Sequence, residues 1–157
     1  MRQAKSIICS GEELFEYLPH RPPALLIDTY HGKDQKASYT GYTPKKESLF
    51  CENGFFREEG LLEHMAQSVA MARGVREANT TETQEEEQTE GVIPGFVASF
   101  KNVNLYRRAK EEEPLYTEVE ETFKNPVFSV VQVSTYNKDG LLAEAEMKVV
   151  KTAGLGI

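Results

Sequence analysis

Two polar side chains set one helical turn apart within an apolar run are the first residues here that could do chemistry. Between Leu61 and Ala72, only Glu63, His64, Gln67 and Ser68 interrupt a stretch built from Leu61, Leu62, Met65, Ala66, Val69, Ala70, Met71 and Ala72. Residues four apart share a helix face, so Glu63 and Gln67 would present a carboxyl and a carboxamide side by side. A carboxylate in the first turn of a buried helix is pulled two ways: desolvation favours the acid, while the helix N-terminus favours the anion. Such a group can be poised as an acid or a base if a substrate reaches it in a largely dry crevice. It can equally complement the helix dipole at a wet end, and residue types alone leave both readings open.

The three histidines are scattered. His20 sits in Leu18-Pro19-His20-Arg21-Pro22, where flanking prolines fix the backbone. A histidine in such a turn usually serves as a structural hydrogen-bonder. His31 falls at an expected strand end, and His64 projects about 100° away from Glu63 on a helix, so neither is singled out. Cys9 and Cys51 are far apart, and no His, Cys or carboxylate spacing suits a metal. Phosphate-binding glycine loops and a nucleophile elbow are also missing, so cofactor-free chemistry is expected.

The elements that must position these residues follow from pattern. Ser10-Gly11-Glu12-Glu13 has the form of a capping box, followed by Leu14, Tyr17 and Leu18 at helical spacing and a stop at Pro19. Leu25 to Tyr30 and Lys36 to Thr43 read as two early strands. Leu61 to Ala72 is apolar on all sides and predicts a buried helix ending near Gly74. Asn79 to Glu90 is a Thr/Gln/Glu tract expected to form a surface loop. Gly95 to Leu105, Leu115 to Phe123, Val127 to Tyr136 and Leu142 to Lys151 then predict four longer strands. In the last, Ala143, Ala145, Met147 and Val149 alternate with Glu144, Glu146 and Lys148. Asn137 to Gly140 is expected to be a four-residue hairpin loop. One long apolar helix among five or six antiparallel strands has to be wrapped by the sheet, because nothing else can bury it.

A chain of 157 residues, 39% hydrophobic and 27% charged, suits one domain with a proper core. Its net charge of -7 argues against nucleic acid as a partner. No apolar stretch approaches a membrane span or a secretory leader, and two cysteines make no disulfide framework, so a cytoplasmic protein is expected.

Two motifs, in order, carry a resemblance across about the whole chain. Leu18-Pro19-His20-Arg21-Pro22-Pro23-Ala24-Leu25-Leu26-Ile27-Asp28 is similar to the L-P-H-R-x-P-x-L-L-V-D stretch of the β-hydroxyacyl-carrier-protein dehydratases, and Leu62-Glu63-His64-Met65-Ala66-Gln67 resembles their L-E-A-M-A-Q. The resemblance implies an α+β hotdog fold, a sheet around one central helix, spanning residues 1–157 as a single domain. It also implies a dimer with active sites at the subunit interface. The implied reaction removes water from a 3-hydroxyacyl thioester on a carrier-protein phosphopantetheine arm, giving a trans-2-enoyl thioester in fatty-acid or polyene-type synthesis. Glu63 matches the family's catalytic glutamate, with Gln67 in support. Gly60 and Leu61 would offer backbone N–H groups to the thioester carbonyl.

The family's catalytic histidine lies in an H-F-P-G segment before the helix, where this chain reads Phe50-Cys51-Glu52-Asn53-Gly54-Phe55-Phe56-Arg57-Glu58-Glu59-Gly60 and has no His. Dehydration needs one group to take a proton and another to protonate the leaving hydroxyl. His20 is the motif-linked candidate for the second role. A branch serving aryl-polyene or flexirubin-type pigments is similar in lacking H-F-P-G. An acidic acyl carrier protein would need a basic patch, for which Arg107, Arg108 and Lys110 are the candidates. Two alternatives stand beside the dehydratase: a non-catalytic or partly catalytic subunit of a hotdog heterodimer, and an acyl thioesterase, which needs only one carboxylate.

Overall fold

The computed structural model describes residues 5–80 and 95–151. In chain order they form β1 (Cys9–Ser10), a 3-10 helix (Gly11–Glu16), β2 (Thr29–Lys33), β3 (Ser38–Tyr42), β4 (Cys51–Glu52), β5 (Phe55–Phe56), α1 (Glu58–Thr80), β6 (Gly95–Leu105), β7 (Ala109–Lys110), β8 (Leu115–Lys124), β9 (Phe128–Asn137) and β10 (Gly140–Lys151). The main sheet is antiparallel, in the order β1-β2-β3-β8-β9-β10-β6, and α1 packs on it, touching β8, β3, β9 and β6. This is a hotdog fold, as the apolar helix and the late strands predict. Its six longer strands match the expected number, and the two-residue β1 is added at one edge.

Burial explains the arrangement. Leu61, Met65 and Val69 of α1 enter one cluster with Leu115, Val119, Val131, Val133, Ala143, Ala145, Met147 and Val149 from the sheet. The alternation along β10 is as expected, with Ala143, Ala145 and Met147 fully buried. A satellite cluster joins Leu14 and Leu18 to Ile27, Tyr30 and Met71, fastening the N-terminal turn to the middle of α1.

Several local expectations are corrected. The segment after Ser10 is a 3-10 turn rather than a capped α-helix, and the Ser10 side chain makes no cap bond. Six residues halted by Pro19 are too few to propagate an α-helix. The first expected strand, Leu25 to Tyr30, is displaced to Thr29–Lys33. Leu26 cannot join a ladder because α1 side chains take its backbone: its N–H donates to Gln67 Oε1 at 2.7 Å and its carbonyl accepts from His64 Nδ1 at 2.7 Å. Helix α1 begins three residues before Leu61 and continues to Thr80, past Gly74. Gly74 is a packing residue there, since an added Cβ would lie 2.4 Å from the Tyr17 carbonyl oxygen. The last hairpin is tighter than four residues, with Asn137 and Gly140 already paired. Of the Thr/Gln/Glu tract, only Asn79 and Thr80 fall among the described residues, at the end of α1.

The stretch standing where the dehydratase family it resembles carries H-F-P-G is a small hairpin. β4 and β5 are joined by Asn53 (φ 52°) and Gly54 (φ 85°), a pair of left-handed residues that suits a two-residue turn. β5 also pairs with β7, making a three-stranded sheet beside the start of α1.

Candidate active site

Glu63 is fixed by Gln67. The Gln67 side chain is 1% exposed and has every polar atom engaged: Oε1 accepts from Leu26 N–H, while Nε2 donates to the Ala24 carbonyl at 2.9 Å and to Glu63 Oε1 at 3.0 Å. The i, i+4 spacing places the two side chains on one face, and the Leu18–Asp28 motif supplies the backbone that orients the amide. Both motifs noted in the sequence therefore meet at one carboxylate.

A buried network lies directly beneath. His64 is 0% exposed; its Nδ1–H donates to the Leu26 carbonyl, and its Nε2 accepts from the Thr117 hydroxyl at 2.8 Å, which in turn accepts from Thr135 at 2.7 Å. The carbonyl can only accept, which sets the tautomer and the direction of the chain of bonds. Burial drives the His64 pKa down to about 4, although the bond to Leu26 works against the shift. The imidazole is neutral at ordinary pH and, having no face to solvent, is a structural pin rather than a proton carrier. Thr40 and Ser68 extend the network at 2.8 Å, and Ser68 Oγ donates to the His64 carbonyl at 2.9 Å.

Other expectations are revised. Because α1 begins at Glu58, Glu63 lies in the second turn, where the pull of the helix dipole is weaker. The dry crevice expected around Glu63 is not formed by the single chain: the side chain is exposed. It lies on a stripe with Leu62, Ala66, Ala70 and Arg73, all half-buried, which the sheet leaves partly open. A helix apolar on all sides was expected to be covered on all sides, and one sheet covers only part of it. Of the two backbone donors, Leu61 N–H is already given to the Arg57 carbonyl at 3.0 Å, so it is not available to a thioester oxygen. Gly60, in the first turn, has no helical acceptor for its N–H. It is also a close-packing position, because a Cβ there would lie 2.6 Å from both Phe50 and Phe56.

His20 is held in its turn by Arg21, which donates to the Leu18 and His20 carbonyls at 2.7 and 2.8 Å and stacks on Phe15. Among the described residues no hydrogen bond joins His20 to Glu63. His20 Nδ1 is the one buried side-chain polar atom among them that has no partner. His31 is structural, bonded to Thr29 and to the Lys5 carbonyl. Cys51, inside the replacement hairpin, has its thiol pKa pushed up by burial and by Glu111, Glu112 and Glu47, which disfavours a thiolate nucleophile there.

The basic residues gather near the helix start. Arg107 and Arg108 line a hollow of about 270 Å³ with Arg57, Glu58, Glu59 and Leu61. Arg107 donates to the Leu141 carbonyl at 3.0 Å, Arg108 stacks 3.8 Å above the Phe55 ring, and Lys110 belongs to β7. The hairpin that replaces H-F-P-G thus carries the platform for Arg108. Its signal in the sequence was the Asn53-Gly54 dipeptide, which sequence reading passed over. Among the described residues no group of three or more potential ligands could hold a metal, and no helix is long and apolar enough to cross a membrane.

Among solved structures, a chain of the dehydratase heterocomplex ApeI:P from Xenorhabdus doucetiae superposes with a TM-score of 0.67 at 14% identity, covering 88% of this chain and 90% of that one. The PaaI protein of the E. coli phenylacetic acid degradation operon gives 0.59 at 10% identity, over 78% and 81% of the two chains. A hypothetical thioesterase with coenzyme A from Streptococcus pneumoniae gives 0.58 at 13% identity, over 78% and 83%. At such identities these likenesses speak for the fold. No curated protein sequence gives a significant match. The model of the ApeP-like family, described as ApeP dehydratase, matches residues 12–155, and the chain belongs to that family.

Proposed function

We propose that this chain supplies the catalytic carboxylate of a dehydratase acting on 3-hydroxyacyl thioesters, and that a second hotdog subunit completes the site. The observation that carries the reading is the clamp on Glu63: a fully engaged, buried Gln67 aims one carboxylate outward from the core helix. In the reaction a proton leaves C2, the C3–O bond breaks, and the hydroxyl departs as water once protonated. Glu63 handles one of these protons. The other falls to His20, turned or met across the interface, or to a group of the second subunit.

The need for a second subunit has four supports. Glu63 shares a half-open helix stripe with Leu62, Ala66 and Ala70. Among the described residues no second ionisable group is bonded to Glu63. Strand β6 ends the main sheet and leaves Phe100, Val103 and Leu105 exposed on an eleven-residue edge, the kind of surface that natural proteins pair or cover. The similar chain from Xenorhabdus belongs to a dehydratase heterocomplex. Arg107, Arg108 and Lys110 would receive an acidic acyl carrier protein, and the replaced histidine segment favours a polyene-type acyl chain.

The test is to supply a 3-hydroxyacyl chain on phosphopantetheine to this protein alone, to an ApeI-type subunit alone, and to the two together. The expected result is enoyl-thioester absorbance from the mixture well above the sum of the separate rates. Release of free thiol without enoyl product would instead make this a thioesterase.

A further inference from the structure

Glu63 stands at the end of a line of hydrogen bonds that begins in the sheet. Thr135 of β9 donates to Thr117 of β8 at 2.7 Å, and Thr117 donates to His64 Nε2 at 2.8 Å. His64 Nδ1–H donates to the Leu26 carbonyl and Leu26 N–H donates to Gln67 Oε1, each at 2.7 Å, and Gln67 Nε2 donates to Glu63 Oε1 at 3.0 Å. The backbone of Leu26 dictates every direction along the line. Its carbonyl can only accept, so the second ring nitrogen of His64 must accept from Thr117; its N–H can only donate, so the Gln67 amide turns its nitrogen to Glu63. Thr135, Thr117, His64 and Leu26 are 0% exposed and Gln67 1%, whereas Glu63 is exposed, so the line meets solvent only at the carboxylate.

The sheet end of this line is a row. Thr40 of β3, Thr117 and Thr135 are register partners across three neighbouring strands, all buried, on a face filled mainly by Leu115, Val119, Val131, Val133 and Ala145. Thr40 holds the same turn of the helix by a second route: it donates to Ser68 Oγ at 2.8 Å, and Ser68 Oγ donates to the His64 carbonyl at 2.9 Å. Apolar contacts are non-directional and leave a helix free to turn slightly on its axis; hydrogen bonds of set length and angle do not. Where the L-E-A-M-A-Q motif has alanine this chain has His64, and a methyl group could make neither of the two ring bonds. We propose that the threonine row, through His64 and Gln67, sets the rotation of α1 and thereby aims Glu63, which makes Thr117 a positioning residue for a site that it does not touch. This rests on the role given to Glu63 above. A rigid brace matters to a reaction because a misplacement of about 1 Å can cost about 10²-fold in rate. Fixing an exposed glutamate for stability alone would only sacrifice its rotamer freedom.

Thr117→Val keeps the shape of the side chain and removes its hydroxyl. In the assembled enzyme it should lower kcat about tenfold with KM within about twofold of the natural value, while Thr117→Ser, which keeps the hydroxyl, should run near the natural rate. In a Glu63→Gln background Thr117→Val should bring no further loss, because it acts only through that carboxylate. In the free chain, ¹⁵N NMR should show the Nδ1–H tautomer of His64. The Gln67 side-chain NH₂ signals should move in Thr117→Val but not in Thr122→Val, which removes an exposed hydroxyl of the same strand. Full kcat in Thr117→Val, an equal loss with and without Glu63, an Nε2–H tautomer, or unmoved Gln67 signals would each overturn the proposal. The tautomer is read on the natural protein and decides even if Thr117→Val does not fold. A Glu63→Gln enzyme at full rate would sink the dehydratase reading instead, with the NMR signals still deciding whether the sheet braces this carboxylate.

Discussion

Gln67 does more for the site than its neutral side chain suggests. Its three bonds tie Ala24, Leu26 and Glu63 together, so truncation removes an acceptor for one buried N–H and a donor to two oxygens. Gln67→Ala should lower unfolding stability by about 1–3 kcal/mol in urea titrations, the cost of stranding such groups. It should also slow dehydration, because Glu63 would lose its orientation. His64 makes a different prediction. Unfolded, its ring takes up a proton near its usual value of 6.5; folded, burial delays this to about 4. Between those values the unfolded chain binds more protons, so stability rises with pH there. The contribution is whole above pH 6.5 and is lost as pH falls towards 4, on the order of 3 kcal/mol across the window. Urea midpoints at pH 7, 5.5 and 4.5 should fall more steeply for the natural protein than for His64→Gln. The Glu63–Gln67 pair was legible because helical spacing is local. The partners of Gln67 and His64 were not, since Leu26 lies 41 and 38 residues away and only the fold brings it near.

Pattern located the core elements well and the elements that interact mainly with side chains poorly. β9 and β10 begin and end close to where alternation put them, because a half-buried strand must alternate. Leu25 to Asp28 looked like a strand by composition, yet the helix claims its backbone. Gly74 looked like a helix stop, a reading that propensity supports, but the residue serves the approach of Tyr17 to the helix. This gives a test with an unusual sign. In an exposed helix Gly→Ala stabilises by about 1 kcal/mol. Here Gly74→Ala should destabilise by about 1–3 kcal/mol, because the new methyl meets backbone that cannot step aside. Urea denaturation of the variant checks the sign directly.

At the scale of the molecule, the hotdog architecture was legible from one apolar helix set among antiparallel strands, and the family membership agrees with the two quoted motifs. The half-open face of α1 was not legible in the residue pattern, although the family resemblance implied a site at a subunit interface. An all-apolar helix predicts burial without saying whose atoms provide it, and among the described residues the stripe of Leu62, Glu63, Ala66 and Ala70 is left partly open. The same gap leaves Glu63 in contact with water and β6 with exposed apolar side chains. The account therefore rests on Glu63 acting in an assembly. The most direct measurement is the dehydration rate of the assembled enzyme carrying Glu63→Gln, with assembly verified by size-exclusion chromatography. A loss of about 10²- to 10⁴-fold, the usual share of a positioned acid or base, is the predicted result. An assembled Glu63→Gln enzyme that turns over at the full rate would contradict it, leaving this chain as a scaffold for chemistry performed wholly by its mate.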